Sequence, residues 1–223
     1  MKPRERENQR YAAGETNLIT VGKQLMFSLL PSPPGKLLDV GCGVGTVTKE
    51  LQKRGFEVVG GDFSDVAVQR CKEIGVQAIV CDVDAEGLPF DTQTFDVVWC
   101  SEVLEHVFDP FFLLEEIRRV LKRDGVVLIS IPNDLYLSTR LRVLIGKSPQ
   151  SMVYRKYQIC KHHTIFSKEL LEYMLKSVGF KIISLLAICR IPKTNCRFVA
   201  PAWIFPIGLM GETIIAKATK RIH

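Results

Sequence analysis

Apolar and polar positions along the chain follow the rhythm of strands and helices taken in turn. Residues 36–40 (KLLDV) are apolar on both faces, as in a central strand covered by helices on either side. Residues 56–61 (FEVVGG), 76–81 (VQAIVC), 94–100 (TFDVVWC) and 125–131 (GVVLISI) predict four more strands, the last closed by Pro132. Between them, Val66, Ala67, Arg70, Cys71 and Ile74 recur at helical spacing within 65–74, and 111–121 reads as an amphipathic helix. Residues 167–177 predict a further helix, with Ser167 as its N-cap and Gly179 just beyond its end. Strands at 180–187 and 212–218 bring the count to seven. Strand and helix alternating over short connections imply an α/β fold, a parallel sheet with crossover helices.

Two segments fall outside that rhythm. The first 32 residues begin with a polar arm, either flexible or a helix that closes over a site, and about 134–166 form an insertion longer than most connections in compact domains. At 223 residues, one domain over 1–223 is expected, with these two as its appendages. The stretch from 188 to 211 is proline-broken and reads as a connection. Its apolar run, 198–210 (FVAPAWIFPIGLM), predicts buried packing or a dimer contact, with a surface for lipid or an apolar substrate as the alternative.

Charge sharpens this division. Residues 1–134 hold 15 Lys and Arg against 21 Asp and Glu, a balance of −6, whereas 135–223 hold 15 against 3, a balance of +12. No acidic residue occurs from 135 to 168, where Arg140, Arg142, Lys147, Arg155, Lys156, Lys161 and Lys168 alternate with apolar side chains. Such a segment is either a solvated basic face or a surface that attracts phosphate, glycan acids or anionic lipid headgroups. It carries no nucleic-acid recognition motif, so nucleic acid is not the expected partner. The seven cysteines form no CxxC pair, and the N-terminus lacks the apolar stretch of a secretory signal, so a reduced, cytoplasmic protein is expected.

The candidate chemistry starts at residues 37–45, LLDVGCGVG. Gly41, Gly43 and Gly45 let the backbone turn sharply and let a ligand approach the main chain, while helical character from Thr46 onward puts N–H groups toward that ligand. Three carboxylates end successive strands: Asp39 before the loop, Asp62 after the second strand and Asp82 after the third. Open α/β sheets bind ligands at such carboxyl ends. Asp62 suits the two hydroxyls of a ribose, and Asp82 could accept from an adenine amino group. A dinucleotide fingerprint would space its glycines G-x-G-x-x-G, but Thr46 holds the third position, and no G-K-[ST] follows to make a phosphate-binding P-loop.

With these residues the chain resembles a class I S-adenosylmethionine-dependent methyltransferase, over roughly residues 33–181. LLDVGCGVG, VVGGDFS, VCDVDAEGLPF and FDVVWCSEVLEHVFDP with LLEEIRRVLKRDGVVLISIPN carry the resemblance. It implies a three-layer Rossmann-like sandwich whose seven-stranded, mostly parallel sheet runs 3-2-1-4-5-7-6, with the last strand antiparallel. It further implies S-adenosylmethionine as cofactor, with Gly41, Cys42 and Gly43 along its methionine part and Asp39 anchoring the loop near its amino group. Asp62 would take the ribose, Phe63 and Val83 would flank the adenine beside Asp82, and Ser101 would lie near the sulfonium.

SEVLEHVFDP and HHTIFSKELLEYMLKSVGF are similar to ubiquinone-biosynthesis O-methyltransferases and relatives acting on other small molecules. That implies methyl transfer to an oxygen, in preference to nitrogen or carbon, of a small acceptor that is anionic or lipid-linked, with peripheral membrane contact open. His106, just past the fourth strand, is the candidate catalytic base, since imidazole exchanges protons near neutrality; loop packing beside the cofactor is the other role open to it. Glu102, Glu105 and His106 form E-x-x-E-H, a pattern with which the ubiquinone group holds a divalent cation; no metal ligand is assigned on that basis. His163 is a further candidate for acceptor contact. A nicotinamide-dependent oxidoreductase and a non-catalytic nucleoside-binding module are the alternatives.

Overall fold

The structure is a computed structural model that describes residues 3–14, 19–147, 162–190, 197–204 and 211–221. Helices α1 (Pro3–Ala12) and α2 (Val21–Ser28) precede the first strand. Then follow β1 (Lys36–Val40), α3 (Thr46–Lys53), β2 (Glu57–Asp62), α4 (Asp65–Glu73), β3 (Gln77–Val80), β4 (Phe95–Ser101), α5 (Pro110–Val120) and β5 (Leu121–Pro132). The chain ends with α6 (Leu137–Leu144), α7 (Lys168–Ser177), β6 (Phe180–Arg190), β7 (Arg197–Pro201) and β8 (Gly211–Lys220). All strands join one sheet in the order β3-β2-β1-β4-β5-β8-β6-β7. β1 to β5 pair in parallel, and β8 runs antiparallel between β5 and β6.

Adjacent strand residues divide the core into two layers. Leu37, Val97, Leu128 and Ile215 face Met26 and Phe27 of α2 and Val47 and Leu51 of α3. Their neighbours Leu38, Val98, Val127, Ile129, Ile214 and Ala216 face Leu113, Leu114 and Ile117 of α5 and Leu171, Met174 and Leu175 of α7. This is why the parallel strands read as unbroken apolar runs: each buries both faces. The largest buried side chain, Trp99, packs its ring 5.0 Å from that of Phe27.

The strand order is the expected one with one correction: among the described residues the sheet has eight strands, not seven. β7 lies within the stretch read as a connection and pairs antiparallel with β6 at the outer edge. Its first three residues are all exposed, so no inward-outward alternation marks it in the sequence. The apolar run it opens is only partly packed over its described part, with Ala202 buried but Phe198, Val199 and Trp203 exposed; residues 205–210 lie outside the described residues.

The arm at the N-terminus contains a helix, α1, that packs on α4. Ser64 caps α4 and donates its hydroxyl to Asn8 Oδ1 (2.6 Å), which fixes α1 over the carboxyl end of β2. The insertion is rooted by a reciprocal pair: Asp134 N–H donates to Phe166 O (2.9 Å), and Phe166 N–H donates to Asp134 Oδ2 (3.1 Å). Between these anchors, α6 is a helix where the sequence signalled no element. Residues 148–161 of the insertion, including Arg155, Lys156 and Lys161, lie outside the described residues. Ser167 caps α7 as expected, accepting from Leu170 N–H (3.2 Å).

Candidate active site

Strand order reverses between β1 and β4, and a cavity of about 1340 Å³ opens there at the carboxyl ends of β1, β2 and β4. The glycine loop forms one wall. Gly41, Gly43 and Gly45 have φ of +71°, +53° and +81°, so the loop uses left-handed backbone at each alternate position. A Cβ built on Gly41 would stand 2.5 Å from Val103 Cγ2, so glycine is required there for space as well. Both Gly41 and Cys42 donate their N–H groups to Gly61 O (2.8 and 3.1 Å), which tie the loop to β2. Gly60 lies directly beneath, where a Cβ would meet Cys42 Sγ at 2.6 Å.

The acids at the strand ends are held by this framework. Asp39 is buried and accepts from the Thr48 hydroxyl at 2.7 Å, a link from β1 to α3 across the loop. Burial pushes its carboxyl up to about 7, against the opposing pull of Thr48 and of the Lys23 cation. Asp62 accepts from Gly43 N–H through Oδ2 (2.7 Å) and from Ser64 N–H through Oδ1 (2.9 Å); burial raises its pKa and these two bonds oppose the rise. Asp82 accepts from Asp84 and Ala85 N–H groups (3.2 and 3.3 Å) at the end of β3.

Asp39, Gly41, Cys42, Asp62, Phe63, Asp82, Val83, Ser101 and His106 all line the cavity. Gly43 does not, because its N–H is turned onto Asp62 behind the loop.

The opposite wall follows β4. Ser130 donates to Glu102 Oε1 (3.0 Å) and lies 2.9 Å from Ser101 Oγ. Glu102 has φ +57°, an uncommon conformation for a residue with a side chain, and its carboxyl turns toward β5. A short 3-10 turn, Leu104–His106, then brings His106 to the rim with Nε2 3.8 Å from Glu105 Oε1. Glu105 is 1% exposed, its Oε2 lacks a hydrogen-bond partner among the described residues, and burial, followed by the neighbouring Glu102, holds its pKa well above the usual carboxylate range. The insertion completes this wall. His163 N–H donates to Glu105 O (2.7 Å), its ring lies 4.2 Å from that of Phe108, and the His162 ring meets the His106 ring edge-on at 5.1 Å.

The E-x-x-E-H spacing does not map directly onto a cluster. Among the described residues, the ligand atoms of Glu105, His106 and His162 lie within 4.8 Å of one another, with His162 in place of Glu102.

Several wall residues were not among the candidates drawn from the sequence. Arg4, Asn8 and Tyr11 of α1 line the cavity, with the Arg4 guanidinium 4.8 Å from the centre of the Phe63 ring. Lys23 of α2 lines it too, facing the charges of Asp39 and Glu102, and burial lowers its pKa. Lys23 precedes the buried Met26 and Phe27 by three and four residues, so it occupies the inward helix face where an apolar residue is the norm. That misplaced cation was the available clue.

Comparison with known proteins places this geometry. The family described as a methyltransferase domain matches residues 38–129. The ubiquinone biosynthesis O-methyltransferase of Actinobacillus pleuropneumoniae is 35% identical over 120 residues, covering 50% of this chain and 51% of that protein. The chain thus spans about half the length of such curated relatives. An uncharacterized protein of Methanocaldococcus jannaschii, MJ1123, is 31% identical over 152 residues, covering 68% of this chain and 67% of its own. Among solved structures, an S-adenosylmethionine-dependent methyltransferase of Thermotoga maritima superposes with a TM-score of 0.69 at 20% identity, covering 89% of this chain and 87% of that one, a likeness of fold. None of these matches favours a nicotinamide-dependent oxidoreductase.

The cofactor that this family implies fits the residues present. Asp62 spends one lone pair of each oxygen on the backbone and keeps the others for hydroxyl donors. Lys23 offers a cation for a carboxylate, and the cavity runs between the glycine loop and the β4 wall. The family match over residues 38–129 and the sheet order make this a class I S-adenosylmethionine-dependent methyltransferase domain.

Proposed function

We propose that this chain transfers the methyl group of S-adenosylmethionine to a hydroxyl oxygen of a small, anionic or lipid-linked acceptor in the cytoplasm, with His106 as the base. The observation that carries this reading is the position of His106, on the cavity rim opposite the glycine loop and beside the buried Glu105. In this reading Asp62 takes the ribose hydroxyls, Asp82 the adenine amino group between Phe63 and Val83, and Gly41 and Cys42 follow the methionine part, while Gly43 holds Asp62 through its N–H. Asp39 anchors the loop near the amino group, Lys23 takes the carboxylate, and Ser101 borders the sulfur. When bound, the cofactor supplies a methyl group on a positively charged sulfur. The protein aligns the acceptor oxygen with that carbon and removes the hydroxyl proton to the His106 imidazole as the carbon–oxygen bond forms and the carbon–sulfur bond breaks. Support for an anionic or lipid-linked acceptor comes from the acid-free insertion, whose ends are rooted at Asp134 and Phe166 beside this wall.

Replacement of His106 by Ala is expected to leave S-adenosylhomocysteine affinity within about twofold and to lower turnover by ~10²-fold or more, the scale of general base catalysis. Equal turnover in the two proteins would assign His106 to packing. The acceptor itself is sought as a metabolite in a cell extract that gains one methyl group when enzyme and cofactor are added, read by mass spectrometry. Calorimetry showing NAD binding without S-adenosylhomocysteine binding would overturn the reading. Tight cofactor binding with no methylated product in any extract would leave a binding module instead.

The convergence of Glu105, His106 and His162 supports a second reading, in which these residues would hold a divalent cation that would lower the pKa of the acceptor hydroxyl. Chelation separates the two. Turnover unchanged by EDTA supports His106 as base, and turnover lost to EDTA but restored by Zn²⁺ or Mn²⁺ supports the metal.

A further inference from the structure

Glu102 is the acid of E-x-x-E-H that stays out of the cluster formed by Glu105, His106 and His162. It follows β4 with φ +57°, and β5 holds it there through one residue: Glu102 N–H donates to Ser130 O (2.9 Å), and Glu102 Oε1 accepts from the Ser130 hydroxyl (3.0 Å). Left-handed backbone is disfavoured for a residue with a side chain and persists where its surroundings impose it. Here the outcome is a carboxylate set in the cavity wall and exposed to it. Among the described residues, Oε2 takes no hydrogen bond.

Lys23 of α2 faces this carboxylate and that of Asp39. The two acids differ: Asp39 is 2% exposed, with Oδ2 on the Thr48 hydroxyl, whereas Glu102 is open to the cavity. A cation and an open acid in one cavity match a ligand that carries both charges on one carbon, as an α-amino acid does. An ammonium has donors and no acceptor, so it needs an oxygen such as Glu102 Oε2. We infer that Glu102 receives the ammonium of the S-adenosylmethionine amino-acid group, while Lys23 receives its carboxylate.

Position along the cofactor agrees. The Ser130 hydroxyl that holds Glu102 lies 2.9 Å from Ser101 Oγ, so the acid is tied to the residue that borders the sulfur. A short methylene chain joins that sulfur to the carbon bearing the ammonium. The disfavoured backbone at Glu102 then serves to hold an acid at this end of the cavity. This placement rests on the roles of Lys23 and Ser101 proposed above.

The test is calorimetry of the full chain in EDTA, so that no metal bridges ligand and acid, and it requires no acceptor. Its ligands are S-adenosylhomocysteine, the analogue with hydrogen in place of the amino group, and 5′-methylthioadenosine, which lacks the amino acid altogether. The natural chain is expected to prefer S-adenosylhomocysteine to the deamino analogue by about tenfold or more, the scale of a hydrogen bond between charged groups. Glu102→Gln keeps an oxygen for Ser130 and removes the charge. That variant should lose the preference through weaker S-adenosylhomocysteine binding, yet bind 5′-methylthioadenosine within about twofold of the natural chain, which shows that it is folded. A preference that survives Glu102→Gln overturns the inference and leaves the cofactor reading standing. Equal weakening of 5′-methylthioadenosine overturns it too, since Glu102 would then only prop the wall. Loss of the preference in Asp39→Asn but not in Glu102→Gln gives the ammonium to Asp39 and overturns it as well. Failure of the natural chain to bind S-adenosylhomocysteine at all would remove the cofactor reading along with the inference.

Discussion

The two walls of the cavity are built differently. On the glycine-loop side, main-chain groups do most of the holding: Gly61 O ties two loop N–H groups, and Asp62 receives Gly43 and Ser64 N–H groups. On the β4 side, the shape comes from side chains drawn from distant parts of the sequence: His106 and Phe108 after β4, His162 and His163 from the insertion. A wall made of backbone tolerates few substitutions and leaves its glycines in the sequence. A wall made of side chains can be rebuilt for another acceptor while the first stays fixed, which is how one fold can serve different substrates.

The largest effect that would test this contrast is expected at Gly41. An alanine there must keep a φ of +71° and push against Val103 from 2.5 Å. Gly41→Ala is expected to weaken S-adenosylhomocysteine binding by about a hundredfold or more, through combined clash and strain at a left-handed position. Calorimetry checks it. Near-normal affinity would mean that the loop is as adaptable as the facing wall and would break the contrast.

The same division explains what could be read from the sequence. β1, α4, α5 and α7 lie within about a residue of their expected bounds, because each buries a periodic apolar face or carries a local cap such as Ser167. Asp39, Asp62 and Asp82 were legible because the loop glycines fix where strands end. β7 left no alternation to read, being an edge strand with exposed residues. α6 reads as loop for the opposite reason: its apolar residues face outward and only Thr139 is buried. The pairing of His106 with His162 depends on how a 3-10 turn meets the returning end of the insertion, a tertiary arrangement no local spacing encodes.

Lys23 tests whether the α2 contribution to the cavity is a contact or a charge balance. Its half-buried cation faces Asp39 and Glu102, both of which favour its charged form against burial. Lys23→Met is expected to weaken S-adenosylhomocysteine by about tenfold, the low end of a hydrogen bond to a charged group, while adenosine binds as before. Equal losses for both ligands would instead point to a general role in holding the acids of the cavity.

The smallest expected effect concerns the stability of the unliganded protein. Burial raises Asp39 from an ordinary 3.8 to about 7 in the folded chain. The folded state therefore binds a proton that the unfolded state releases between those values. Stability from this group is fully present below about pH 4 and is lost as pH rises through about 7. An Asn at this position still accepts from Thr48 but does not ionise. Asp39→Asn should thus gain melting temperature relative to the natural chain as pH goes from 5 to 8, by a few degrees at the top of the range. Asp62, Glu102 and Glu105, also raised by burial, keep their slope in both proteins and cancel in the difference. A difference between the two melting curves that stays constant with pH would show Asp39 ionised throughout. The loop would then hold a charge at its centre, balanced by the neighbouring Lys23, and the two walls of the cavity would be more alike than their bonding suggests.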